Sequence, residues 1–193
     1  MSRESILNAI KKNKPELEIL PEIDLEVFHE DIDLIETFIS NVNFVGGSTV
    51  QLDNLENLDE EIIKRYPNAK HIVSCSNKSQ LATISISKET EPHSLESIDL
   101  AIIAAQFGIA ENGAVWISEN DFIVRVLPFI TNDLVLILSK KDICLHMHEA
   151  YNIISKRDKT FGLFLSGPSK TADIEQCLVI GAQGAVSLTV FLI

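Results

Sequence analysis

The sequence predicts an α/β fold built on a largely parallel sheet, and three observations carry that reading. Short apolar runs of strand length recur along the chain, separated by segments with the i, i+3, i+4 spacing of amphipathic helices. One run, Leu134-Val135-Leu136-Ile137-Leu138, is apolar without interruption, as a strand covered on both faces must be. The chain closes on an apolar run, a tight turn, helical spacing and a second apolar run. That is the strand–turn–helix–turn–strand pattern of a βαβ unit.

Taken in order, residues 5–14 read as a short helix with Ile6, Leu7 and Ile10 on one face, stopped by Pro15. Residues 15–25 mix acidic and apolar positions without a period and read as a linker. Residues 31–42 make a better helix, with Ile32, Ile35, Phe38, Ile39 and Val42 as its stripe. Gly46-Gly47 ends this part, which places an N-terminal helical segment at residues 1–45 and an α/β domain at 46–193.

A first strand is expected at 48–52 and a short helix at 59–66, with Ile62 and Ile63 inward. The next strand spans 69–75, headed near His71, and a half-exposed one spans 81–87, where Ile84 and Ile86 alternate with Ser85 and Ser87. Residues 89–97, with Pro92 and His93, read as loop. Residues 99–105 fit a buried strand or a core helix equally, because periodicity does not separate the two in so short a run. The chain turns at 108–113, and 114–118 is a strand. Arg125 and Pro128 make 124–130 a connection. After the strand at 134–138, residues 142–156 fit a helix with Leu145, Ala150, Ile153 and Ile154 apolar.

In the closing unit, 161–165 is the first strand and 186–193 the last. Ile174, Cys177, Leu178 and Gly181 are spaced like one helix face between them. Gly167 permits backbone angles closed to other residues, and Pro168 fixes its own φ. Ser169 or Thr171 caps the expected helix, and Asp173 and Glu175 fall in its first turn, at the positive end of the dipole. Amides, hydroxyls and Lys170 at a helix start behind a strand form either an anion site or a purely structural turn.

Composition narrows the function. The chain of 193 residues is 46% hydrophobic and 23% charged, ordinary for a globular protein. A net charge of −12 argues against nucleic acid and against anionic membranes, since both demand clustered Lys and Arg. No apolar run approaches the roughly 20 residues of a membrane span, and no secretory leader is visible at the N-terminus, so a cytoplasmic location is expected. Cys75, Cys144 and Cys177 are odd in number and form no C-x-x-C pair, so reduced, packed thiols are expected rather than disulfides or an iron–sulfur cluster. No Walker A loop, G-x-G-x-x-G, G-x-S-x-G or H-E-x-x-H is present, and no cofactor or metal is expected. In His146-Met147-His148-Glu149 the two imidazoles would point apart on a helix.

Two motifs carry a family resemblance. Ser166-Gly167-Pro168-Ser169-Lys170-Thr171-Ala172-Asp173-Ile174-Glu175-Gln176, followed by Gly181-Ala182-Gln183-Gly184 and a closing strand, resembles the C-terminal signature of the lactate-utilisation protein C (LutC/YkgG) family, the LUD domain. Ala110-Glu111-Asn112-Gly113 stands where that family usually has A-E-T-G. The resemblance covers roughly residues 46–193. It implies a fold similar to the ribose-5-phosphate isomerase, glucosamine-6-phosphate deaminase and CoA-transferase group, an open, mainly parallel sheet with helices on both faces. It therefore favours a strand at 99–105.

The resemblance also implies a role in oxidising L-lactate to pyruvate as one part of a three-protein system, whose iron–sulfur chemistry belongs to partner proteins. This chain would then be an accessory or ligand-binding subunit. The alternative is a free-standing isomerase or CoA-transferase-like enzyme acting on a small anionic acyl or phosphorylated substrate through Glu111, since A-E-N-G also resembles the E-N-G signature of some CoA transferases. Glu111, between two apolar runs, reads either as an acid, base or nucleophile or as the anchor of an Asn112-Gly113 turn. Arg125, alone in an apolar segment, needs a partner: a substrate carboxylate, a protein acid such as Glu111, or water. The candidate catalytic residue is Glu111. The candidate ligand-binding residues are Asn112, Gly113, Arg125, the Ser166, Gly167, Pro168, Ser169, Lys170 and Thr171 turn, Asp173 and Glu175. Because both motifs follow apolar runs, they are expected to share one crevice beyond the carboxyl ends of the sheet strands and to hold a small anion there. Nothing in the sequence fixes an oligomeric state.

Overall fold

In chain order the elements are α1 (Arg3–Lys12), α2 (Leu34–Phe44), β1 (Ser48–Gln51), α3 (Leu58–Arg65), β2 (Ile72–Ser74), β3 (Leu100–Ala104), β4 (Phe107–Ile109), β5 (Ala114–Ser118), α4 (Glu119–Phe122), α5 (Leu127–Ile130), β6 (Asp133–Leu138), β7 (Ile143–Cys144), α6 (Met147–Ser155), β8 (Gly162–Leu165), β9 (Lys170–Ala172), β10 (Leu178–Ile180) and β11 (Ser187–Leu192). This is a computed structural model, and it describes residues 2–19, 21–28, 30–157, 161–172 and 178–193. Asp173, Glu175 and Cys177 lie outside the described residues.

Contacts divide the chain into Met1–Asp31 and Ile32–Ile193. In the first unit, Ser2 caps α1 by accepting the Ser5 amide at 3.2 Å, and Lys11 and Lys12 sit at the negative end of the helix dipole. The apolar face Ile6, Leu7 and Ile10 is exposed. Among the described residues no helix is long and apolar enough to cross a membrane.

The second unit is built on a five-stranded sheet in the order β1-β11-β6-β3-β2, with every pair parallel. The chain enters at one edge, crosses to the other through α3, and returns strand by strand. The three inner strands carry residues such as Ile102, Leu136 and Val190 with no exposure at all, which explains their unbroken apolar runs. One face presents Ala101, Ile103, Leu134, Leu136, Leu138, Leu188 and Val190 to Phe38 and Val42 of α2 and to Val115 and Ile117 of β5. The other presents Leu100, Ile102, Val135, Ile137 and Phe191 to Leu58 and Ile62 of α3. Each fully buried side chain of this kind is worth about 1.5–3 kcal/mol.

A second sheet, ordered β7-β4-β5-β8, grows out of the crossovers on either side of β6. Its β4–β5 and β5–β8 pairs are antiparallel. Trp116 lies over Gly162, where a Cβ would come within 2.3 Å of the indole, and Phe164 packs on that ring at 4.5 Å between centroids.

α2 is capped by Asp33, which accepts the amides of Ile35 and Glu36 at 2.9 and 3.1 Å. Although the sequence reading put it in the N-terminal segment, α2 lies within the second unit and supplies Phe38 and Val42 to the core.

Four local expectations are overturned. Among the described residues the helix expected after the 166–171 turn is replaced by strand: β9 and β10 pair antiparallel, with Lys170 opposite Ile180. The closing segment is therefore not a βαβ unit, because β8 belongs to the second sheet and β11 to the first. Residues 81–87 form no strand; the amides of Thr83 and Ile84 both reach the Ile72 carbonyl, which leaves no ladder to extend. Residues 142–156 begin as β7, paired with β4, and turn helical only at Met147. In α3, Ile62 is buried but Ile63 is exposed.

Candidate functional site

Both signature motifs converge on the C-terminal end of α2. Gly113, at φ +66°, lies so close to that helix that a Cβ would stand 2.6 Å from the Val42 nitrogen. Asn41 of α2 donates its side-chain amide to the carbonyls of Ala110 and Glu111 at 2.7 and 3.2 Å. From the other motif, Gly167, at φ +74°, leaves no room for a Cβ, which would fall 2.5 Å from the Val45 carbonyl oxygen. The Lys170 ammonium donates to that same carbonyl, a cation at the negative end of a helix. The motifs also touch each other directly, since the Ser166 hydroxyl donates to the Asn112 carbonyl at 2.9 Å. The turn is closed from behind by the Gly181–Gly184 segment: Ser169 N reaches Ala185 O at 2.9 Å, and Gly181 N reaches Ser169 O at 3.0 Å.

Glu111 is about half exposed, and its Oε2 accepts the amide of Met147 at 2.8 Å. Met147 opens α6, so the carboxylate caps that helix from a loop that is distant in sequence. His146 Nδ1 stands 3.8 Å away. Asn112 closes its own turn by accepting the Ala114 amide at 3.0 Å. Of the partners left open for Arg125, the structure shows a protein acid, but Glu119 at 2.7 Å and not Glu111, and the guanidinium lies over the Phe161 ring at 5.0 Å. The Arg125 guanidinium, by its hydrogen bonds, holds the Glu119 carboxyl below its ordinary pKa. Arg125 is 67% exposed, and the pair is screened accordingly. Burial pushes the Cys75 and Cys144 thiols up to about 11, so both stay protonated at neutral pH.

A cavity of about 270 Å³ adjoins the second motif, lined by Ser166, Gly167, Pro168, Ser169 and Lys170 together with Gln183, Leu134 and Leu188. Glu111, Asn112, Gly113 and Arg125 do not line it. Leu134 and Leu188 are the second residues of β6 and β11, so the cavity lies at the amino ends of those parallel strands. Among the described residues this cavity is therefore not the shared crevice expected beyond the carboxyl ends. The two bends meet, but Glu111 turns away to α6, and β8 runs outside the parallel sheet.

The arrangement is a junction: the hydrogen-bonding groups of the two motifs hold one another and α2. The profile of the LUD domain matches residues 3–193. The chain belongs to the LUD-domain family. Its relatives in the family include "Lactate utilization protein C" of Anoxybacillus flavithermus, 30% identical over 99 residues, which are 51% of this chain and 45% of the relative. "Lactate utilization protein C 1" of Bacillus mycoides is 25% identical over 171 residues, 83% of this chain and 72% of the relative. The chain spans about half or less of the length of three relatives named lactate utilization protein C, at 45, 47 and 40%. A solved structure of a DUF162 family protein from Deinococcus radiodurans superimposes with a TM-score of 0.62 at 14% identity, covering 82% of this chain and 95% of the other. That likeness shows a common fold.

The sequence reading missed Asn41, an α2 side chain that ties the helix to the A-E-N-G turn. A lone asparagine on an amphipathic helix gives no local signal, because its acceptors lie far along the chain.

Proposed function

We propose that this LUD-domain chain is an accessory component of a lactate-utilisation system, one that works in the cytoplasm beside iron–sulfur partner proteins and carries no cluster of its own. The observation that carries the proposal is the family match over almost the entire chain, joined to relatives that bear the name lactate utilization protein C. The site geometry favours this accessory reading. Glu111 spends its carboxylate on α6, and Ser166, Gly167 and Lys170 spend their polar groups on α2 and on the neighbouring turn. Ser169 and Gln183, lining the 270 Å³ cavity, are the polar side chains of that turn region best placed to meet a small ligand. The free-standing isomerase or CoA-transferase reading asks Glu111 to face a substrate cavity, and the carboxylate faces the start of α6 instead.

Deletion of the gene tests the role. Growth on L-lactate as sole carbon source is expected to stop while growth on pyruvate continues, and a tagged chain is expected to retain iron–sulfur proteins from lactate-grown cells. Unimpaired growth on L-lactate would refute the role. Full complementation by Glu111→Gln is expected under the accessory reading, whereas loss of complementation by a folded Glu111→Gln protein would favour the enzyme.

A further inference from the structure

A second cavity lies where open parallel sheets bind ligands, beyond the carboxyl ends of central strands. Its volume is about 250 Å³, and Gln106, Phe107, Lys141, Asp142, Ile143, Cys144, Ile153 and Arg157 line it. Gln106 follows β3 and Lys141 follows β6, two adjacent strands of the parallel sheet. None of these residues belongs to either signature motif.

The charges of this cavity oppose those of the protein. The chain carries a net −12, yet the cavity walls hold two cations, Lys141 and Arg157, against one carboxylate, Asp142. Among the described residues Arg157 is held in place without being neutralised. Its guanidinium sits over the Phe107 ring at 5.5 Å and donates to Gln106 Oε1. Gln106 is itself fixed at its other end, where Nε2 donates to Ser118 Oγ at 2.8 Å and to Asp121 Oδ2 at 2.6 Å. The amide is therefore oriented with its oxygen toward the arginine. Asp121, the nearest acid in this chain of contacts, is already occupied by the Ser118 amide and hydroxyl as well as by Gln106. Among the described residues, Arg157 meets a neutral carbonyl and a ring and forms no salt bridge. A guanidinium has five N–H donors, and among the described residues one is in use. The remaining donors match a carboxylate, which accepts two parallel hydrogen bonds from such a fork. Phe107, Ile143 and Ile153 add apolar surface to the same cavity for a short carbon skeleton.

We propose that this cavity is a binding site for a small organic carboxylate, with Arg157 and Lys141 holding the carboxylate and Phe107, Ile143 and Ile153 packing its carbon skeleton. The site goes beyond the lactate-utilisation role and does not depend on it.

Titration of the full chain with acetate, L-lactate, pyruvate and inorganic phosphate, followed by calorimetry or amide NMR shifts, tests the proposal. At least one of the three carboxylates is expected to bind, with shifts at residues 106–107 and 141–144. Arg157→Met is expected to weaken that binding at least tenfold, and Lys141→Met to weaken it several-fold. Both side chains are exposed, so an unchanged melting temperature should accompany the loss. Acetate binding without L-lactate binding would uphold the site and exclude lactate as its occupant, leaving the growth experiment to decide the lactate role separately. No binding by any carboxylate, binding indifferent to Arg157→Met, or binding of phosphate alone would overturn the proposal.

Discussion

Gly113→Ala is expected to lower stability by about 3 kcal/mol. The left-handed backbone at φ +66° costs a non-glycine residue about 1–2 kcal/mol. The added methyl then meets backbone, not a yielding side-chain tip: Val42 N at 2.6 Å and Asn41 C at 2.8 Å. Forcing two packed elements apart adds about 1–3 kcal/mol. For a chain of this size the melting temperature should fall by roughly 6–12 °C. Thermal unfolding followed by circular dichroism checks this, and a fall within about 2 °C of zero would show that the turn does not press on α2.

Phe38→Ala is expected to cost about 4 kcal/mol, within the range for removing a fully buried phenylalanine. The ring covers Gly108, where a Cβ would stand 2.9 Å from Phe38 Cε2 and 2.7 Å from Leu138 Cδ2. Gly108→Ala alone should therefore also destabilise. In the Phe38→Ala background the new methyl has space on the side the ring vacated. The double variant should be more stable than the sum of the two single losses by about 1 kcal/mol, because residues in contact do not add. Urea denaturation of the four proteins checks it; strict additivity would mean that Phe38 and Gly108 do not share this contact.

The parallel sheet was legible because burial on both faces leaves a plain trace. The run Leu134 to Leu138 reads directly as β6, and 99–105, one of its two readings being a buried strand, forms β3 beside it. The stripe Ile35, Phe38, Ile39, Val42 likewise reads as α2. The strands at 161–165 and 186–193 were read as β8 and β11, but the stretch between them was misread for a physical reason. β9 and β10 are three residues each, too short to show a period of two, and Ile174, Cys177, Leu178 and Gly181 happen to carry helical spacing. Their pairing is decided by a partner strand and by the bonds from Ser169 and Gly181, none of which local spacing records. β7 was hidden in the same way, as a two-residue strand that exists because Gly108 and Ile109 lie beside it.

The candidate site divides along the same line. That two distant motifs meet is visible in the Ser166–Asn112 hydrogen bond, and the sequence reading had brought them together. What they do there was not legible, because each partner is remote in sequence: Met147 for Glu111, Val45 for Lys170, Asn41 for the 110–111 carbonyls. Arg125 found its acid six residues upstream in Glu119, and Ile123 between them adopts φ +63°, a tight turn closed by Val124 N to Phe122 O at 2.6 Å. Arg157 and Gln106 carry no motif at all; their interest arises only from the ring, the amide and the cavity around them.

Hydrogen exchange on Gly167→Ala tests the junction most directly. The atoms nearest a Cβ on Gly167 all belong to Val45, the C-cap of α2, so the loss should be local. The amides of Val45, Gly46 and Gly47, which bond back to Asn41, Asn43 and Val42, are expected to exchange at least tenfold faster, while those of β3 and β6 keep their wild-type rates. Unchanged exchange at residues 45–47 in a folded Gly167→Ala protein would contradict the account, because the Ser166–Lys170 turn would then have no part in seating α2.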